Sequence, residues 1–237
     1  MVNQNVETAK RIGTGLAFIL APLFFGMAFI THPNLLSLEI GGEVSAKVEE
    51  FHNNNVMHFG HFMMLLSVPL LIVAAAKFMS MLKGRGAWPG FIGGVLAVFG
   101  AVILAIDKTA LCLVMSAFDS VPETAYAQLL PGIEALFNFE GYLVILYLLA
   151  LLPIGFLIQG VGLYQAQAIP RWQSALLITA SLGLGVSAAV DIDLFGLVST
   201  LVLAFCFVPF GVQLIKGHEY EYRPDADQVD RLATSPQ

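Results

Sequence analysis

Long, largely uncharged apolar runs dominate this chain, and short polar segments separate them. The runs predict helices over residues 12–31, 56–82, 87–107, 139–163, 171–190 and 194–216, and the third extends as a pattern to 118. Each is long enough to cross about 30 Å of hydrocarbon as an α-helix that rises about 1.5 Å per residue. The sequence therefore predicts an all-α integral membrane protein with six transmembrane helices in one bundle.

The composition supports this interpretation. Hydrophobic residues make up 57% of the chain and charged residues 12%, whereas soluble domains contain about 25% charged residues. The six-span bundle is expected over residues 1–216, followed by a flexible cytoplasmic tail over 217–237. The first run follows Lys10 and Arg11, but it is long and lacks a small-x-small cleavage motif, so we interpret it as a retained helix rather than a signal peptide.

Basic residues predict the orientation. Nine of the eleven lysines and arginines fall on one side of the predicted spans, and the other side carries Lys47 and Lys108 with eleven carboxylates. Because basic loops remain in the cytoplasm, both termini are expected inside and the acidic face outside. We expect a multi-pass protein of a bacterial cytoplasmic membrane.

Histidines concentrate at the predicted outer face. The outer loop over residues 32–55, with a short amphipathic helix over 44–51, and the start of the second span carry four of the five histidines: His32, His52, His58 and His61. His58 and His61 are helical neighbours at i and i+3. Further candidate ligands or supporting residues are Met57 and Met64, on the same helix face as His61, and the carboxylates at the same membrane level, which are Asp107, Glu140, Asp191 and Asp193.

These residue types suggest a metal or haem site. Neutral imidazole is the commonest transition-metal ligand, and thioethers favour soft ions such as Cu(I). The candidate cofactors are copper, another transition metal, or a b-type haem held by His32 with His58 or His61. The alternative is that these are ordinary solvated or hydrogen-bonded interfacial residues, and a third interpretation is a proton-relay or catalytic role.

Two further expectations concern polar residues near the spans. Asp107 and Lys108 are adjacent on a helix and point in different directions, so we expect no ion pair between them and a contact from Asp107 to a histidine of the second span instead. Glu140 is interpreted first as a favourable acid at a helix N-terminus. Gln159 is interpreted as an interfacial anchor at the inner end of the fourth span.

Three functions are compatible with the sequence: metal or haem binding for electron transfer or metal handling, transport of a small solute, and a non-catalytic accessory or scaffold role. The chain contains no P-loop, dinucleotide fingerprint or HExxH motif, and we expect no nucleic-acid partner. The lipid bilayer is the expected environment. Small-xxx-small spacings at Gly90 with Gly94 and at Ser181 with Gly185 suit helix contacts, either within the bundle or with partner proteins or a second copy.

Overall fold

The computed structural model describes residues 2–40 and 43–218. These residues form the helices α1 (Val2–Ile30), α2 (Val44–Phe51), α3 (Asn55–Met81), α4 (Ala87–Lys108), α5 (Met115–Phe118), α6 (Glu123–Phe137), α7 (Leu151–Ala166), α8 (Arg171–Val190) and α9 (Asp193–Ile215). A π-helix over Thr109–Val114 joins α4 to α5, and 3-10 helices cover Gly84–Gly86 and Gly141–Ala150. The predicted cytoplasmic tail lies, from residue 219 onward, outside the described residues.

Six helical stretches are long and apolar enough to cross a membrane, so the prediction of an all-helical six-span fold is confirmed. The stretches are Gln4–Ile30, Asn55–Met81, Gly84–Phe118, Gly141–Ala166, Arg171–Val190 and Asp193–Ile215. The third and fourth are not purely α-helical, because the third contains the π-helix and the fourth begins with the 3-10 helix. The inside location of both termini stays a prediction.

The spans form a closed ring in chain order. Each span packs against the next along the chain, and α9 returns to pack against α1. Phenylalanine side chains fill part of the ring's interior: the ring centroid of Phe18 lies 5.0 Å from that of Phe78, 4.9 Å from that of Phe207 and 4.6 Å from that of Phe210. These edge-to-face contacts are favourable beyond the apolar area they bury.

Small residues bring α4 and α7 into close backbone contact. A Cβ atom on Gly93 would lie 2.6 Å from the carbonyl oxygen of Gly155, and one on Gly155 would press on the backbone of Ala97. Between lipid-facing helices, such close approach gives van der Waals packing that larger residues would prevent. The glycines of this seam are therefore part of how the third and fourth spans associate.

The small-xxx-small residues are mostly used inside the bundle. A Cβ on Gly90 would meet Leu82, and one on Gly94 would meet Met79. Ser181 is buried, with its hydroxyl donating to the Leu177 carbonyl at 2.8 Å. Gly185 is half-buried with open space beside it.

Gln159 is not an interfacial anchor, and that interpretation is wrong. Its side chain is fully buried, and its amide nitrogen donates to the carbonyl of Ala75 at 2.9 Å and to that of Gly90 at 3.4 Å. The amide thus connects α7 to α3 and α4, because a polar donor buried at membrane depth has no water to bond and requires an acceptor within the protein.

The two helices outside the ring, α2 and α6, contact each other at the end of the bundle that carries the histidines, and we call this pair the cap. The cap has an apolar cluster separate from the core of the ring. Its buried members are Val48, Phe51, Met57, Met115, Tyr126 and Ile133. The amphipathic pattern predicts α2, whereas the helix over Glu123–Phe137 was not predicted.

Candidate functional site

The first group of site residues lies where α1 ends and where α3 and α9 begin. Gly60 of α3 packs directly against Thr31, so that any Cβ at position 60 would collide with the Thr31 side chain. This close approach brings the residue after Thr31, which is His32, into contact with the residue after Gly60, which is His61. Because α9 runs antiparallel to α1, its first residue, Asp193, arrives at the same level.

His32 and His61 face each other through the same ring atom. Their Nε2 atoms are 3.3 Å apart and their ring centroids 5.0 Å apart. The other ring nitrogen of each histidine has its own partner: Nδ1 of His32 lies 2.8 Å from Oδ2 of Asp193, and Nδ1 of His61 lies 3.0 Å from the carbonyl oxygen of Met57. The pair is therefore held from both outer sides.

The three contacts of this pair need more protons than two neutral imidazoles carry. The Asp193 carboxylate and the Met57 carbonyl only accept, so each requires an N–H from the histidine facing it. If both neutral rings place their hydrogen on Nδ1, the two Nε2 atoms face each other as lone pairs. An additional proton or a metal ion between the Nε2 atoms completes the arrangement.

A second group is built around Asp119, which follows α5. Its Oδ1 lies 2.9 Å from Nδ1 of His52, and its Oδ2 lies 2.8 Å from Nε2 of His58. One carboxylate thus connects the end of α2 to the start of α3. Nε2 of His52 also lies 3.5 Å from Oε2 of Glu123, and the His52 ring stacks on Tyr126 with centroids 3.8 Å apart.

The four candidate histidines therefore form two pairs rather than one cluster. His32 and His61 contact each other, whereas His52 and His58 share Asp119. Asp119 and Glu123 were not among the predicted site residues, because they lie in the segment after residue 118, to which no element was assigned. The signal was present in the helical pattern continuing to residue 118, which delivers Asp119 to the same membrane level as the histidines.

The cap buries both groups. The Phe51 ring of α2 lies 5.1 Å from the His61 ring and 6.1 Å from the His58 ring, and the exposed fraction of His61 is only 3%. His32, at the edge, is half-buried. His58 Nδ1 is buried without a hydrogen-bond partner among the described residues. The site is thus a shielded polar network rather than an open surface patch.

The expectations for Asp107 are wrong. It forms an ion pair with its neighbour Lys108 at 2.8 Å, because the four-carbon lysine stem is long enough to curl back round the helix. Its carboxylate is 3% exposed and is not the histidine partner. Asp119 and Asp193 fill that role. Pairing with Asp107 also offsets the positive charge of Lys108, which interacts electrostatically with His61.

The remaining candidates have separate environments. Asp191, in the left-handed conformation that ends α8, is bonded by Lys47 of the cap. Glu140 is exposed and precedes the 3-10 helix. Met57 is buried in the cap cluster, with its sulfur 3.9 Å from Nδ2 of Asn54, and Met64 is buried in the core of the ring.

Electrostatics at the cap also affect Tyr126. Burial raises the pKa of its phenol, and the negative charges of Asp119 and Glu123 raise it further. The phenol is 4% exposed, and its hydroxyl has no hydrogen-bond partner among the described residues. Tyr126 therefore stays neutral and acts as the stacking surface for His52.

Within residues 2–40 and 43–218, no three histidine, cysteine or acidic side chains are grouped so that they could hold a metal ion together. The His32–His61 contact brings together two such side chains. A haem does not fit between His32 and His61, because its two axial nitrogens must lie on opposite faces of a porphyrin, about 4 Å apart. At 3.3 Å, with the two nitrogens in direct contact, there is no room for the macrocycle. The other haem pair, His32 with His58, stays a prediction.

The fold and the location of these residues define a polytopic, all-helical membrane protein with a shielded histidine–carboxylate network at one end. Comparison with protein-family models, with curated proteins and with solved structures finds no match for this chain.

Proposed function

We propose that this membrane protein binds a tetrahedral transition-metal ion, Zn²⁺ or Cu(I), between His32 and His61, and that it takes part in metal handling at the outer face of the membrane. The observation that carries the proposal is the pair of Nε2 atoms 3.3 Å apart, each on a ring whose Nδ1 is already bonded. Metal-ligating histidines typically donate a hydrogen bond from the N–H of their second ring nitrogen to a carboxylate or a backbone carbonyl in this manner.

The spacing supports a tetrahedral ion. Two nitrogens bound at about 2.0–2.1 Å and separated by a tetrahedral angle lie about 3.3–3.4 Å apart. The observed separation of 3.3 Å agrees with this value. Both ions are compatible with imidazole ligands. The pair therefore needs no large rearrangement to accept the ion.

A site with two protein ligands favours exchange of the bound metal ion over its permanent storage. Structural zinc sites are closed by four protein ligands, whereas an ion held by two imidazoles keeps positions open to water or to an incoming ligand. Such an ion exchanges readily. Solute transport has less support, because aromatic packing around Phe18 fills part of the ring's interior. A scaffold role is favoured by no specific contact surface within residues 2–40 and 43–218.

Metal binding by the detergent-purified protein, with any affinity tag removed, tests the proposal. Zn²⁺ and Cu(I) are titrated in competition with a chromophoric chelator, and the bound metal is measured after gel filtration. We expect one ion per chain, lost in His32→Ala and in His61→Ala. The matched control is His52→Ala, which removes a histidine of the same region that contacts Asp119 and is expected to keep the ion.

Two results would contradict the proposal. One is the absence of stoichiometric binding to the wild-type protein, which would leave a proton shared between His32 and His61 as the explanation of their contact. The other is binding that survives both His32→Ala and His61→Ala. For zinc, X-ray absorption gives an independent measure, since two imidazoles and additional oxygen ligands are expected in the first shell.

A further inference from the structure

The cap covers the ligand that the proposed metal must reach. Phe51 lies against the His61 ring, and Phe137 of α6 packs on Phe51 with ring centroids 5.2 Å apart. His61 is consequently sealed although it lies in the second turn of α3. An ion exchanging at His61 in this conformation has to enter past the half-buried His32 or wait for the cap to move.

We propose that the cap is a hinged lid that opens to expose His61 and is held shut by the Asp119 carboxylate. The movement itself is inferred from the fold alone, and only its purpose, the admission of a metal ion, rests on the proposed function. The apolar cluster of the cap is separate from the core of the ring. The cap can therefore lift with the loss of its own contacts, including those with Met57 of α3 and Met115 of α5, while the core of the ring stays packed.

Polar ties hold the cap at its edges. Asp119 bonds His52, at the end of α2, and His58, in the first turns of α3. Lys47 of α2 bonds Asp191 at the far edge, and Glu50 bonds Asn34. Asp119 is the central tie, because it is shielded from solvent and makes two contacts, whereas the other ties are more exposed.

The membrane spans on either side of α6 depart from α-helical geometry in the parts nearest to it. The π-helix over Thr109–Val114 precedes it and the 3-10 helix over Gly141–Ala150 follows it. Runs of 3-10 helix longer than three or four residues are uncommon. A 3-10 stretch within a longer helix often marks a hinge, and π-helical turns are frequent at functional sites. The ten residues of the 3-10 helix would shorten by about 5 Å on conversion to α-helix, since the rise falls from about 2.0 to 1.5 Å per residue.

The borders of the cap carry backbone conformations suited to a hinge. Asn53, between α2 and α3, has a φ of 55°, and Phe139 and Gly141, between α6 and the 3-10 helix, have φ values of 54° and 61°. This left-handed conformation is uncommon for residues other than glycine, and Asn53 and Phe139 adopt it here. Their presence at both borders of the cap, together with the two unusual helices, locates the flexing points.

The test measures opening without any metal. His61→Cys introduces a thiol under the cap, and its rate of reaction with a charged methanethiosulfonate reagent reports how often the cap opens. The native thiols of Cys112 and Cys206 are buried, and their reaction in the protein without His61→Cys is subtracted. Ser45→Cys on the exposed face of α2 gives the rate of an open position.

We expect the thiol at position 61 to react far more slowly than the one introduced at Ser45. Adding Asp119→Asn should speed its reaction about tenfold, because charge-assisted hydrogen bonds to two histidines become weaker neutral ones. Glu49→Gln makes the same change of charge on the exposed face of α2 and is the matched control. Gly141→Ala should also speed the reaction, because alanine disfavours the positive φ at the hinge.

The proposal is overturned if the thiol at position 61 reacts as fast as the one at Ser45, or if neither Asp119→Asn nor Gly141→Ala changes its rate relative to Glu49→Gln. Should Asp119→Asn fail to fold, Gly141→Ala alone decides, because a Cβ there meets no neighbouring atom. Gated labelling in a protein that binds no metal would leave the lid standing and remove only the proposed function.

Discussion

Asp193→Asn tests whether the carboxylate behind His32 supports the proposed metal site. The Asp193 oxygen lies 2.8 Å from Nδ1 of His32, with side chains 26% and 18% exposed. Across the imidazole ring, the carboxylate is about 6.5 Å from an ion bound at Nε2, which corresponds to about 2.5 kcal/mol for a monovalent ion at an effective dielectric constant of 20. Partial exposure reduces this to roughly 1.4 kcal/mol, which is about tenfold in affinity.

We therefore expect Asp193→Asn to weaken Cu(I) binding about tenfold and binding of the doubly charged Zn²⁺ by up to about a hundredfold, within the range found when hydrogen-bond partners of metal-binding histidines are removed. Chelator competition at constant ionic strength measures the affinity. Glu140→Gln is the control, because it removes one negative charge from the same end of the bundle at an exposed position that makes no described contact with the histidines.

An affinity of Asp193→Asn within twofold of the wild-type value, with binding abolished in His32→Ala, would refute the assignment of Asp193 as the orienting carboxylate. Equal weakening by Asp193→Asn and Glu140→Gln would show that only the general negative charge of the outer face matters. In that case the effect of both substitutions should disappear in high salt.

Two further predictions concern packing and pH. Gly155→Leu should destabilise the folded protein by about 1–3 kcal/mol or more, because the α4 backbone at Ala97 leaves no space for a side chain. Thermal unfolding in detergent measures the loss of stability, and the control Gly13→Ala, at a position that faces open space, should leave the unfolding temperature nearly unchanged. Because the pKa of Tyr126 is raised in the folded state, its contribution to stability is fully present below about pH 10 and decreases as the pH rises above that value. Tyr126→Phe should therefore lose less stability than the wild type between pH 8 and pH 11 in denaturant titrations, and an identical loss in both proteins would contradict the assignment.

The six spans could be predicted because a membrane-crossing helix needs little beyond its own residues. All its backbone groups bond within the segment, so about 20 apolar residues suffice to predict it. The continuation of the third span to Phe118 was visible for the same reason. By contrast, α6 has fewer apolar residues per turn and is held by contact with α2, so its sequence alone gave no comparable signal.

The site was predicted in its location but not in its pairing. Spacing along the chain brings all four histidines to one end of the bundle, yet the packing of Gly60 on Thr31 selects the His32–His61 contact. Asp119, more than sixty residues away from His52 in the chain, takes the partnership that had been expected for Asp107. Long side chains and non-local contacts decide such pairs, and neither follows from spacing in the sequence.

Hydrophobicity along the sequence thus determined the number and extent of the spans, because the bilayer selects each helix individually by its length and polarity. Tertiary structure decided which polar groups meet. The interhelical seams at Gly60 and Gly155, the burial of Gln159 between three spans, and the cap over His61 all depend on how one helix surface fits another. That fit involves atoms distant in the chain, and it turns a set of interfacial histidines into two separate, shielded pairs.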